Sequence, residues 1–285
     1  MDLVIADEPA SHRDVPSTAP LVQQWCDLNG RVCALGYASG DRCWMEWPRL
    51  ATYSFAPDCP VVHAYPKQSV QRRVVEDVFR RSVLPFALQA SGWEALHASA
   101  VLMARGVVGF CAPSGTGKST LAHGLSLLGY PTYADDALFV QVESEVIARR
   151  MPFGTRLRPA SRAFFGSRAP SGPSDIAESA QRGLPSTRPL AALFTLHRQA
   201  RPVLEGPSVR RLTPVPAFSA ILAHAQCFNP LDPDAKRRLV SHYLSLAARV
   251  PVFELNLGDG FQHFAATLGV IVSAVNGAES MQVAR

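Results

Sequence analysis

Apolar positions along this chain change their spacing from one region to the next. Between Gly30 and Pro66 short apolar runs alternate with turn residues, and Val32–Tyr37, Cys43–Trp47, Thr52–Phe55 and Val61–Ala64 read as strands. Ser39-Gly40-Asp41 and Pro57-Asp58 punctuate them, which predicts a small antiparallel unit. Residues 1–20 are polar and contain proline, and are expected to form a loose arm. Over residues 69–84 the spacing turns helical: Val70, Val74 and Val78, with Val75, Phe79 and Val83, form one stripe. Pro85 is expected to kink or end that helix.

Beyond residue 92 the pattern becomes strand, loop, helix, strand. Leu96–Met103 and Val107–Cys111 are apolar β runs separated by the turn Ala104-Arg105-Gly106. Thr116–Leu128 is helical with Gly129 at its C-cap, and Tyr130–Ala134 and Leu138–Val142 follow as strands. Ten of the 23 prolines fall between Pro152 and Pro216, so that stretch is expected to be loop-rich, with a strand at Leu190–His197 and a mobile segment at Gly166–Ser186. Helices are expected at about Ala217–Cys227, Pro233–Arg249 and Gly260–Val275, with a strand at Val252–Leu257. Asp232 before Pro233 suits an N-cap, and Asp259 with Gln262 a capping box. The whole reads as an α/β fold: an N-terminal β-rich accessory region over residues 1–90, ending in a linker helix, and a domain over residues 91–285.

Composition narrows the classes. Apolar residues make up 47% and charged residues 18% of 285, which is globular rather than disordered. The net charge of +5 is mild and the basic residues are scattered, so no nucleic-acid partner is expected. The N-terminus lacks an apolar signal region and no apolar run spans a bilayer, so a cytoplasmic chain with no membrane partner is expected. The six cysteines form no CxxC pair and are expected to be buried free thiols. Of 28 basic residues only Lys67, Lys118 and Lys236 are lysines, which marks any lysine in a chemically useful place.

Lys118 is in such a place. Ala112-Pro113-Ser114-Gly115-Thr116-Gly117-Lys118-Ser119 follows the phosphate-loop pattern GxxxxGK[ST], with Ala for the first Gly. A β run enters it and an amphipathic helix leaves it. Gly115 and Gly117 permit backbone angles that turn successive N–H groups toward a phosphate, and the helix N-terminus adds positive potential. Lys118 neutralises β/γ-phosphate charge and the Ser119 hydroxyl suits Mg²⁺. Pro113, Ser114, Gly115, Thr116, Gly117, Lys118, Ser119 and Thr120 are the candidate ATP contacts. Asp135-Asp136 ends the strand after the loop helix, where one acid can hold the metal while the other accepts a proton. His97 precedes the hairpin leading into the loop, and Arg156 and Arg158 are candidates to reach phosphates from the region beyond the acids.

The stretch LHASAVLMARGVVGFCAPSGTGKSTLAHGLSLLGYPTYADDALF, residues 96–139, resembles the HPr kinase/phosphorylase family. In that family a His, a β hairpin, a P-loop, a helix ending in Gly and an Ala-Asp-Asp strand end follow in this order. The stretch is most similar to the HPr-kinase-like branch found with lasso-peptide biosynthesis, which phosphorylates a serine hydroxyl on a peptide. The resemblance implies an HPr-kinase-like P-loop kinase domain using ATP and Mg²⁺, with a Ser-bearing peptide or protein as partner. It implies Lys118 and Ser119 at the nucleotide and metal, Asp135 as general base, Asp136 as a metal-side carboxylate, and His97 as a phosphate- or acceptor-site residue with a part in catalysis. Two other readings stay open: another phosphotransferase on the same scaffold, including an HPr kinase/phosphorylase, and a nucleotide-binding regulatory or scaffold protein without transfer. Whether the chain forms a homo-oligomer also stays open.

Overall fold

The computed structural model describes residues 1–6, 15–27, 29–151, 155–169, 184–198, 206–229, 232–258 and 260–277. The chain divides into two compact units: residues 1–94 with 227–240, and residues 95–226 with 241–285.

The first unit is built on a six-stranded sheet. Strands β1 (Asp2–Ile5), β2 (Leu21–Cys26), β3 (Val32–Ser39), β4 (Arg42–Trp47), β5 (Ala51–Phe55) and β6 (Val61–Pro66) lie in the order β1-β6-β5-β4-β3-β2. From β2 to β6 it is an antiparallel meander, and β1 joins β6 in parallel. Residues 2–5 are therefore a strand and not part of a loose arm: four residues suffice when β6 offers a free edge for their backbone groups. The strand β2 also escaped the sequence reading, because Leu21–Cys26 carries two glutamines and lacks clean alternation. The face of this sheet is closed by aromatic packing, with Trp25 against Phe86 and Phe228 at ring separations of 5.2 and 6.3 Å.

The expected single helix is a continuous helical run of three parts: α1 (Arg72–Val78), a π-helical turn (Phe79–Val83) and α2 (Leu84–Ala90). Pro85 does not end it. The Leu84 N–H reaches back five residues to the Phe79 carbonyl, so the widened π register meets the proline at the first turn of α2, where its missing N–H is no loss.

The second unit contains β7 (Glu94–Leu96), β8 (Ala98–Met103), β9 (Gly106–Cys111), β10 (Thr132–Ala134), β11 (Leu138–Val142), β12 (Val146–Arg149), β13 (Thr187–Arg198), β14 (Ser208–Arg211), β15 (Ala225–Gln226) and β16 (Val252–Leu257). Its helices are α3 (Lys118–Leu127), α4 (Pro159–Phe165), α5 (Pro214–Leu222), α6 (Pro233–Arg249) and α7 (Phe264–Gly277); the boundary between the units falls within α6. Strands run in the order β10-β8-β9-β13-β12-β11-β7-β15, with β16 on β13 and β14 on β16. At the centre β9, β13 and β16 are mutually parallel, so Cys111, Arg198 and Leu257 end at the same edge of the sheet. Such an edge is where open α/β sheets take ligands. The chain is thus α/β, as its apolar spacing predicts.

The core of this unit lies between that sheet and two helices. Leu121 and Leu125 of α3 and Leu268, Ile271 and Val275 of α7 pack with Val101, Val108, Phe110, Phe194 and Leu255 from the strands. At Gly124 an added Cβ would sit 2.5 Å from the Phe264 ring, so glycine permits the close approach of α3 and α7. The end of α3 is closed as expected: Gly129 has φ +92°, its N–H bonds the Ser126 carbonyl and the Tyr130 N–H bonds the Leu125 carbonyl. Asp232 Oδ1 accepts from the Asp234 N–H at 2.9 Å, the N-cap bond expected for α6. Asp259, of the expected capping box, lies outside the described residues.

Several expectations here need correction. The run Leu96–Met103 is not one strand: it breaks at His97, whose N–H bonds the His224 carbonyl. The proline-rich stretch holds α4, a β13 that begins earlier and ends one residue later than expected, β14, and a start of α5 at Pro214. Prolines open both helices in their first turn, where the fixed φ helps and no donor is lost. Of the segment Gly166–Ser186, residues 170–183 lie outside the described residues; Gly166–Arg168 forms a 3₁₀ turn. All six cysteines are free, but only Cys111 is buried; Cys26 on the edge strand β2 and Cys33 near the start of β3 are exposed.

Candidate functional site

The glycine-rich loop connects β9 directly to α3, spanning residues 112–117. Gly115 and Gly117 both have positive φ, +90° and +124°, which an L side chain adopts only under strain. Lys118, the first residue of α3, is buried at 6% exposure. Its ammonium has three donors and the fold engages all of them: Nζ lies 2.7 Å from the Ala112 carbonyl, 3.3 Å from the Pro113 carbonyl and 3.0 Å from His97 Nε2. Burial lowers the Lys118 pKa, an effect opposed by the nearby Asp136, Cys111 and Asp135.

That contact orients His97: Nε2 lies 3.0 Å from the Lys118 ammonium and Nδ1 3.0 Å from the Asp136 backbone carbonyl, and the tautomer in which Nε2 accepts and Nδ1 donates satisfies both. The break in the strand at His97 is what swings this ring between the loop lysine and the acid pair.

The two acids have very different surroundings. Asp135 is 4% exposed and accepts three hydrogen bonds. The hydroxyls of Ser99 and Ser119 donate to Oδ1 at 2.5 and 2.8 Å, and the Arg156 N–H donates to Oδ2 at 2.9 Å. Burial raises its pKa, and the three hydrogen bonds pull the other way. Asp136 adopts φ +69°, an angle Asp tolerates, and its side chain is 85% exposed. The acid tied to the loop serine is thus Asp135, and the acid open to solvent is Asp136. Expected as general base and metal-side carboxylate, Asp135 and Asp136 stand one against the loop serine and one in water.

Two arginines crown the loop. Arg158 Nη2 donates to Ser114 Oγ at 3.1 Å, and its guanidinium fills the space beside Gly115. Arg198, the last residue of β13, donates from Nε to the Thr116 carbonyl at 3.0 Å. Thr120 turns away from the loop and bonds Ser161 of α4 at 2.8 Å, while Thr116 Oγ1 closes a local turn on the Pro113 carbonyl.

The structure therefore gathers His97, Ser114, Gly115, Thr116, Gly117, Lys118, Ser119, Asp135, Asp136 and Arg158 around one loop. Pro113 contributes its carbonyl to Lys118, and the Thr120 side chain serves α4 instead. Of Arg156, the backbone N–H takes part. Sequence reasoning missed Ser99 and Arg198. Ser99 stands two residues after His97, near the start of β8, a spacing that could have flagged it; Arg198 ends a strand parallel to β9, which only the pairing reveals.

A hydroxyl and two carboxylates near a phosphate loop are the hard oxygen donors that suit Mg²⁺, which keeps most of its waters and takes few protein ligands. Among the described residues no helix is long and apolar enough to cross a membrane.

Comparisons place the chain among known proteins only distantly. No family model matches it, and no curated protein matches it by sequence. Among solved structures it is similar to the Hpr(Ser) kinase/phosphatase from Coxiella burnetii, with a TM-score of 0.39 and 13% identity, covering 66% of this chain and 94% of that one.

Proposed function

We propose that this protein is an ATP-dependent kinase that transfers the γ-phosphate to a serine hydroxyl of a peptide or protein, most specifically a lasso-peptide precursor. The observation that carries the kinase reading is the convergence on one loop of Lys118, the Ser119–Asp135 pair and a solvent-open Asp136. Positive loop, metal-side hydroxyl and free carboxylate are the parts that phosphoryl transfer needs. The peptide acceptor rests on the sequence resemblance.

In this reading the loop N–H groups and the N-terminus of α3 cradle the phosphates. Lys118 leaves one of its protein acceptors to meet the terminal phosphates, and His97 is the acceptor most easily released, since it is a side chain and not a strand-bound carbonyl. Ser119 and Asp135 would hold Mg²⁺, which neutralises phosphate charge when bound. Asp136, exposed and backed by His97, takes the proton from the attacking hydroxyl.

The test is incubation with Mg·ATP and candidate precursor peptides, read by mass spectrometry. One phosphate added to a peptide serine supports the proposal. ATP binding with no transfer to any acceptor overturns it in favour of a regulatory protein. Asp136→Asn should abolish transfer while sparing nucleotide binding; full transfer by that variant would remove Asp136 as the base.

A further inference from the structure

Two guanidinium groups at the loop are not used by the mechanism above. Residues 112–134 contain no acid, and among the described residues neither Arg158 nor Arg198 pairs with a carboxylate. Other arginines of the chain do: Arg72, Arg81, Arg210 and Arg237 each hold an Asp or Glu. Asp135 and Asp136 lie near Lys118, and the guanidinium groups of Arg158 and Arg198 add positive charge at the loop, which favours a polyphosphate there.

Resting on the nucleotide reading, we propose that the pair makes this loop selective for a nucleoside triphosphate, with Arg158 a ligand of the terminal phosphate and Arg198 a positioning residue for the cradle. The two positions differ in kind. Arg158 lies at Ser114 and Gly115, and its charge is felt at Lys118, the lysine that serves the β/γ end. Its bond to Ser114 Oγ is a single contact to an uncharged oxygen, which an anionic oxygen outcompetes. Arg198 instead holds a backbone carbonyl. In a trans peptide the carbonyl and the following N–H point in opposite directions, and the described chain has no cis peptide. Pinning the Thr116 carbonyl to Arg198 therefore turns the Gly117 N–H to the opposite side, into the cradle. Gly117, with φ +124°, has no side chain to restrain that peptide, and Arg198 braces it from outside the loop.

The experiment is isothermal titration of the full chain and its variants with Mg·ATP and Mg·ADP. Arg158→Gln should weaken ATP by about tenfold or more and ADP by no more than about twofold, since a charge-assisted contact to the terminal phosphate is lost. Arg198→Gln should weaken ATP and ADP alike, and Arg198→Lys should restore both, because an ammonium can still donate to the Thr116 carbonyl. Unchanged affinities in either Gln variant overturn the proposal, as does an equal loss of ATP and ADP in Arg158→Gln. Thermal melting of each variant near the wild-type midpoint separates lost contacts from misfolding; for a Gln variant that misfolds, the corresponding Met variant, which keeps the side-chain length and removes the cation and its donors, is titrated by the same criteria. A wild-type chain that binds neither nucleotide would instead refute the nucleotide reading itself.

Discussion

The hydrogen bonds at Asp135 allow a graded test of how this site is held together. Its carboxylate is the shared acceptor for two hydroxyls and one backbone N–H, from β8, α3 and the segment that leads into α4. Replacing it with Ala removes the acceptor of three donors, that of Ser99 buried and those of Ser119 and Arg156 part-buried, and leaves a small void. At about 1–3 kcal/mol for each unsatisfied donor, less the relief of no longer burying a charge, the loss should be about 3–5 kcal/mol. Asn is milder. Its carbonyl oxygen can serve the Arg156 N–H while its amide donates to the Ser99 and Ser119 oxygens, so only the charge assistance is lost, about 1–2 kcal/mol. At roughly 2–4 °C per kcal/mol for a unit of this size, melting should fall by about 2–8 °C for Asn and about 6–20 °C for Ala. Differential scanning calorimetry on the full chain, following the transition of the second unit, measures both. If the Ala variant melted within a degree of wild type, the network would not be holding β8, α3 and the Arg156 segment together. An Asn variant as unstable as Ala would show that the charge, and not the pattern of donors, is what matters.

Three further expectations follow from the same geometry. His97→Ala removes one of three acceptors for Lys118 and frees its ammonium, so apo stability should drop by about 1 kcal/mol while ATP affinity rises or holds; a loss of ATP affinity in titration would show that His97 serves the phosphates directly. Gly124→Ala places a Cβ 2.5 Å from the Phe264 ring, so it should destabilise by about 1–3 kcal/mol despite the better helix propensity of alanine; a raised melting temperature would contradict the close approach of α3 and α7. Burial lowers the His224 pKa below its ordinary 6.5, an effect reinforced by Lys118 and the other histidines near it. The stability this group contributes is present above 6.5 and is lost as pH falls through its folded pKa, so His224→Gln should melt with a shallower acid dependence than wild type, and parallel curves would refute this.

Much of the fold is legible in the chain because local chemistry settles it. Leu138–Val142, Pro233–Arg249 and Val252–Leu257 form where apolar spacing and caps place them, and Gly129 ends α3 through a backbone angle that other residues avoid. The loop from Ala112 to Ser119 is equally local, since glycine positions and the adjoining strand and helix define it. What the chain alone leaves open depends on partners far away in sequence. Asp2–Ile5 becomes a strand only because β6 presents an edge, and Pro85 stays in a helical run only because a π turn precedes it. The different surroundings of Asp135 and Asp136 are of this kind too: adjacent and identical in type, they differ because one meets Ser99, Ser119 and the Arg156 N–H while the other meets water. Arg198 is one of 25 arginines by sequence and gains its place at the loop because β13 pairs in parallel with β9. The phosphate-loop pattern is legible along the chain because its residues act on their immediate neighbours. Which acid is buried and which arginines reach the loop is set by burial and strand pairing, between residues that the chain brings together only on folding.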